Sequence, residues 1–435
     1  MRAIAVSVLA LTMAMPAHAD TLGEAMVSAV EGNPTLAAQR SRLAATREAL
    51  PQAWAEALPQ VSLSAGANVG DSYPTPGDER SETWSGSASA SQLLFGSGRV
   101  LASTRAARAQ IRGAVADYDF AEQDLLLDVT SAYADVRQQQ AVVAARERTV
   151  ANLSRLYEYA QAQFEAGVVT RTDEAQAQAR LAQARTQLVQ SQGALAAAIQ
   201  AYLRLVGRPP SDLQAPPQAA GLPSDLQAAL DAAGQNSPAL RSAIAATEQA
   251  DANVDVAASS GRLRVTLEAG SNIAGDFEPD DFESSSDSVG VRLSVPLFQG
   301  GAIRSRTRAQ RALRSASNLD LAATQRSVQE GVTNAWTGLA SARAAVISAR
   351  EQVQAAELAY EGVNLELETG LRATFEVLEQ EQILLDAQLA LAAAEADLVV
   401  AERNMLAQMG ALTPQTGAPG PGGGGVAPDD ELRGR

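Results

Sequence analysis

Cysteine is absent from the 435-residue chain, which excludes disulfides, thiolate catalysis, cysteine-ligated metals and a lipid anchor on a first mature cysteine. Lysine is absent as well: all 34 basic side chains are Arg, and the single histidine is His18. Aromatic residues make up 4% of the chain, few for the compact cores that this length would ordinarily contain. The 50 acidic residues outnumber the basic ones and leave a formal charge of -16, the wrong sign for a nucleic-acid surface. Beyond the amino-terminal segment no stretch reaches the roughly 18 apolar residues of a spanning helix. Any membrane crossing must then use strands.

What is present begins with a secretory signal over 1–19. Arg2 gives the positive start, Ala3 to Met15 an apolar run, and Ala17-His18-Ala19 a small-x-small cleavage site. Cleavage after Ala19 removes His18, so the exported chain loses the usual residues of general-base, Schiff-base and zinc chemistry. No nucleophile-base pair or metal-ligand cluster stands out in the sequence. The expectation is a protein that is not an enzyme, with no cofactor, no metal and no nucleic-acid partner.

The chain is one unit written twice. At an offset of 204, Pro34 and Leu36 fall on Pro238 and Leu240, and Val61, Leu63, Ala65 and Gly66 on Val265, Leu267, Ala269 and Gly270. At an offset of 203, Leu94-Phe95 matches Leu297-Phe298, Tyr133 matches Trp336, and Glu165 with Gly167 matches Glu368 with Gly370. The first repeat spans 20–206 and the second 224–413, separated by a Pro/Gly/Ala-rich linker at 207–223. A Gly/Pro-rich tail at 414–435 is expected to be disordered.

Each repeat predicts the same order of elements. A helix of about 24 residues, Pro34 to Ala57 or Pro238 to Ser260, leads into two runs of period two. These are strands at 60–70 and 82–95 in the first repeat and at 262–274 and 286–298 in the second, close to the 9–11 residues of a tilted transmembrane strand. Polar loops join each pair at 71–81 and 275–285. Long helices without proline follow at 99–166 and 303–369, each about 100 Å at 1.5 Å per residue. Apolar residues spaced by 3, 4 or 7 run along both, from Val129, Tyr133 and Val136 to Phe164, and from Val332, Trp336 and Leu339 to Leu367. That is a coiled-coil seam. Each long helix turns at a glycine into a shorter partner, 171–206 or 374–410.

A partner of about 36 residues cannot cover a helix of about 67, and the shortfall matches the preceding helix of about 24. Four helical columns per chain are therefore expected, with four strands at one end. Four strands cannot close, and an open edge is not tolerated in lipid. Eight strands from two chains would fill their own interior, whereas twelve from three leave a lumen. The fold class is mainly α with a small transmembrane β part: a trimeric twelve-stranded barrel continuing into a periplasmic helical tube.

These features resemble the TolC-like outer-membrane efflux and secretion channels over roughly residues 21–412. The marks are the doubled Leu-Phe turns at Leu94-Phe95-Gly96-Ser97-Gly98 and Leu297-Phe298-Gln299-Gly300-Gly301, the triplet Ser131-Ala132-Tyr133, and the turns Phe164 to Gly167 and Glu368 to Leu371. The resemblance implies a homotrimeric passive conduit in the outer membrane of a Gram-negative cell, exporting drugs, toxic compounds or type I secreted proteins. It would dock onto a periplasmic membrane-fusion adaptor and an inner-membrane ABC or proton-driven transporter. It also implies a periplasmic gate, by position at Asp173, Arg372, Glu376 and Glu379, and adaptor-docking tips at Gly167, Val168, Val169 and Thr170 with Gly370 and Leu371. The aromatic usual three residues before the second glycine is Leu367 here.

Other readings of the same residues compete. Thr170 and Asp173 have the spacing of a capping box, and carboxylates favour the first turn of any helix. Arg372 suits a solvated tip, while Glu376 and Glu379 share a helix face that threefold symmetry would gather into an acidic, cation-selecting ring. Trp84, Phe95 and Phe298 read equally as interfacial girdle or as ordinary packing, and Tyr133 and Trp336 as coiled-coil core. The alternative function is a periplasmic coiled-coil adaptor or scaffold, which has no need of paired strands in each repeat.

Overall fold

A computed structural model describes residues 20–71, 80–277 and 284–417. The signal segment, the central parts of both polar loops and the tail from residue 418 lie outside them. The chain forms two compact units, one of Ala38–Phe120 with Ser237–Val328, the other of Met1–Ala37, Ala121–Asn236 and Gln329–Arg435.

The first unit holds the whole sheet. Strands β1 (Gln60–Asp71), β2 (Arg80–Phe95), β3 (Arg264–Asp276) and β4 (Ser284–Ser294) pair antiparallel in the order β1-β2-β3-β4. The two middle strands come from different repeats, with Ser89 opposite Gly270, and β1 and β4 are left as edges. Strand alternation sorts the two faces. Val61, Ala90, Ala269 and Val289 lie in one row across the sheet, and Ser62, Ser89, Gly270 and Ser288 in the next. Val61, Leu63 and Val289 are 78%, 83% and 79% exposed, a mainly apolar face that also carries Ser271 and Asp287 and has no protein against these residues among the described ones. On the opposite face Ser62 meets Ser89 and Ser64 meets Ser87, each pair at 2.7 Å.

Two expectations are corrected by proline. The helix read as continuous from Pro34 to Ala57 breaks at Glu48 into α2 (Pro34–Arg47) and α3 (Ala49–Ala55), because Pro51 has no N–H to return to the Arg47 carbonyl. Its counterpart α7 (Pro238–Ser259) has Asp255 at that place and stays whole. The last strand ends at Ser294 rather than 298, since Pro296 cannot donate to a ladder. Phe298 therefore follows the strand, 88% exposed.

Sharp turns lead into the 67-residue helices α4 (Arg99–Glu165) and α8 (Ala302–Glu368). Ser97 and Gly98 take φ of 47° and 85°, Gly300 and Gly301 57° and 83°. Ser97 tolerates this region while its hydroxyl donates to the Leu263 carbonyl at 2.6 Å. A Cβ on Gly96 would come within 2.9 Å of a terminal methyl of Leu93, so a side chain there requires that leucine to move. Ion pairs fasten α7 to the first part of α4, including Arg105–Asp255 at 2.7 Å and Arg241–Asp119 at 2.9 Å.

The second unit buries the coiled-coil seam. Val129, Tyr133, Val136 and Leu153 of α4 are covered, as are Val332, Leu339, Val346 and Leu367 of α8, while Trp336 is half-buried. Their partners are α5 (Arg171–Val206) and α9 (Thr374–Gln408). Helices α1 (Leu22–Gly32) and α6 (Leu226–Asn236) extend the repeat upstream of Pro34 and Pro238. Residues 207–223, which read as a plain linker, are held tightly. Asp20 donates to the Asp212 carbonyl at 3.0 Å, and the Tyr133 hydroxyl lies 2.7 Å from the carbonyls of both Asp20 and Gln214.

Candidate functional site

The two helical hairpins of the second unit end in matched turns. Gly167 and Gly370 adopt φ of 74° and 77°, and Val168 and Leu371 donate back to the carbonyls of Gln163 and Glu366 at 2.9 and 2.8 Å. This six-to-one closure stops a helix and requires a residue free to adopt positive φ. It leaves Val168 70% and Leu371 77% exposed at the apices.

Beyond the glycines the hairpins differ. In the first, the Asp173 carboxylate accepts from the Thr170 N–H at 3.0 Å and from its hydroxyl at 2.8 Å, while the Asp173 N–H donates to Thr170 Oγ1 at 3.4 Å. Asp173 thus acts as a helix cap in the single chain. In the second, α9 lacks a side-chain cap. Arg372 spans the turn instead, with Nε donating to Glu366 at 2.7 Å and the other side of its fork bonded to Glu376. Glu379 is exposed with no partner among the described residues. The structure therefore joins Arg372 to Glu376, keeps Asp173 with Thr170, and leaves Glu379 open.

A polar group near these turns has no signal in the spacing of the sequence. Glu381 of α9 is 4% exposed. Its oxygens accept from Asn152 Nδ2 at 3.1 and 3.2 Å and from the hydroxyls of Thr149 and Tyr360. Arg155 donates to Asn152 Oδ1 at 2.6 Å. The network ties α4, α8 and α9 together beside a cavity of about 330 Å³, lined by Arg155, Tyr159, Asn364 and Glu368 among others.

Burial raises the Glu381 carboxyl above the ordinary glutamate range, against the opposing pull of its donors and of Arg155. The Tyr360 hydroxyl, half-buried beside it, is pushed up to about 12, chiefly by that burial and then by the Glu381 charge. A carboxyl whose folded pKa is raised takes up a proton on folding. Its contribution is whole below the unfolded value and is lost as pH rises through the folded one. The thermal midpoint of the native chain is expected to fall from pH 5 to pH 7.5 relative to Glu381→Gln, which cannot titrate. Parallel curves for the two proteins would exclude Glu381 as the responsive group.

Among the described residues no group of His, Cys, Asp or Glu is arranged to hold a metal, and no helix is long and apolar enough to cross a membrane.

Residues 25–208 and 229–411 match the family described as outer membrane efflux protein, one match for each repeat. The chain is 28% identical over 382 residues to the outer membrane efflux protein BepC of Brucella suis, covering 87% of this chain and 83% of that one. It is 27% identical over 393 residues to the outer membrane protein TolC of Vibrio cholerae, covering 88% and 89%. The structure of the outer-membrane channel OprN superposes with a TM-score of 0.76 at 22% identity over 89% of each chain.

Proposed function

This chain belongs to the outer membrane efflux protein family, and from that we propose that it is a passive export conduit whose three copies join their sheets into one twelve-stranded barrel in the outer membrane. The observation that carries this reading is the sheet itself: one mainly apolar face, one hydroxyl face, and β1 and β4 left as edges. Lipid demands that every backbone group be paired, so β1 of one copy must meet β4 of the next until the ring closes. A periplasmic scaffold has no use for such a surface.

The helical unit lines the periplasmic part of the path, with Asp173, Arg372, Glu376 and Glu379 at its gate. The exposed Val168 and Leu371 offer apolar apices to a membrane-fusion adaptor, and an inner-membrane transporter supplies the energy. Substrates are small toxic compounds or secreted polypeptides.

Mass determination and planar-bilayer conductance on one detergent-purified sample test the reading. A trimer with long-lived, cation-selective channels is expected, and a non-conducting monomer or dimer would overturn it. Arg372→Ser frees Glu366 and Glu376 and is expected to raise single-channel conductance severalfold. Unchanged conductance would remove Arg372 from the gate.

A further inference from the structure

The hydroxyl face of the sheet is nearly free of charge. Between the strand ends, its side chains on β1 are Gln60, Ser62, Ser64 and Asn68, and serines 85, 87, 89 and 91 continue it on β2. Arg264 stands at the foot of β3 and Asp276 at its far end. Between them, the charged side chains on this face among the described residues are Glu268 and Arg292. They bind each other: Arg292 Nε donates to Oε1 at 2.7 Å and its terminal nitrogen to Oε2 at 2.8 Å, with the Thr266 hydroxyl 3.4 Å from Oε1.

The pair is a diagonal neighbour across β3 and β4, since Glu268 stands opposite Gly290 and Arg292 opposite Thr266. Arg292 lies two residues before the end of β4, on the side from which the chain enters α8. The Arg292 side chain is 69% exposed and the Glu268 side chain 39%. A solvent-exposed pair of this kind adds little to a sheet, so stability alone gives little reason for two charges in a row of hydroxyls.

We propose that Glu268 and Arg292 set the ion selectivity of the barrel lumen by cancelling each other, so that a hydroxyl-lined duct passes solutes of either charge. The inference rests on the trimeric conduit proposed above, which turns this face inward and repeats the pair three times around the path. A ring of like charges in a pore selects ions, and a ring of paired charges does not. Breaking the pair from either side must then expose three charges of opposite sign in the two cases.

Reversal potentials under a salt gradient, at about 0.03 M on the dilute side so that screening stays weak, test this in planar bilayers. Arg292→Gln is expected to shift the cation-to-anion permeability ratio about twofold or more toward cations, and Glu268→Gln by a similar factor toward anions. The double variant, and the swap E268R/R292E that restores a pair, are expected to return to the starting value. The fixed contribution of an acidic gate offsets all variants equally and leaves the opposed signs intact. Conducting trimers whose reversal potential is unmoved, or moves the same way in both single variants, would overturn the inference and leave the pair a register pin between two strands. Wild-type protein that forms no channel would refute the conduit itself, and this inference with it.

Discussion

Arg403→Ala is expected to cost about 3–5 kcal/mol, the penalty for removing one member of a buried ion pair. Arg403 is 1% exposed and donates to Glu402 at 2.7 Å and to the Pro217 carbonyl at 2.7 Å, while Glu402 accepts from the Ala219 N–H at 3.0 Å. These consecutive residues of α9 strap the 217–219 stretch to the helix. Loss of the guanidinium leaves a buried carboxylate with one backbone donor and frees the strap. A fall in thermal midpoint in detergent, with new protease cleavage within 207–223, is the expected readout. Arg403 Nε finds no partner, so the site is imperfect even when intact. The double variant E402Q/R403M, which removes both charges, is expected to be milder than Arg403→Ala. If the single variant melts like the native protein, the strap does not hold the linker.

Val289→Arg and Ser288→Arg place the same side chain on neighbouring residues of β4 and are expected to behave oppositely. Val289 lies in the apolar row with Ala269, and Ser288 in the hydroxyl row with Gly270. An arginine on the lipid face of a transmembrane strand costs about 2–4 kcal/mol near the bilayer midplane, and a trimer bears that three times. Val289→Arg should deplete heat-resistant trimer from the outer-membrane fraction. Ser288→Arg should leave assembly intact and move selectivity toward anions. Equal tolerance of both changes would mean that the faces are assigned wrongly.

The contrast between those residues was legible in the sequence because strand alternation is strictly local, and the long helices were legible because a seam over so many residues has no other explanation. The errors were local as well. Pro51 and Pro296 each remove one backbone donor, and neither proline has a counterpart at the matching position of the other repeat. Helix α1 was missed although its capping box, Thr21 with Glu24, is plain in the sequence. Asp173 was visible both as a cap and as a gate residue, and the single chain uses it as a cap. The Glu381 network was invisible for a different reason. Its members sit at 149, 152, 155, 360 and 381 on three helices, and only packing brings them together.

Strand β2 finds its partner β3 only after the whole of α4, α5 and the strap have been made and exported, so the first hairpin spends that time with both edges open. Pairing over such a separation is slow, and exposed edges invite aggregation. A product truncated before β3 keeps the β1–β2 hairpin but leaves the inner edge of β2 without its partner. The first repeat's hairpin reaches its final pairing only once the carboxy-terminal repeat supplies β3.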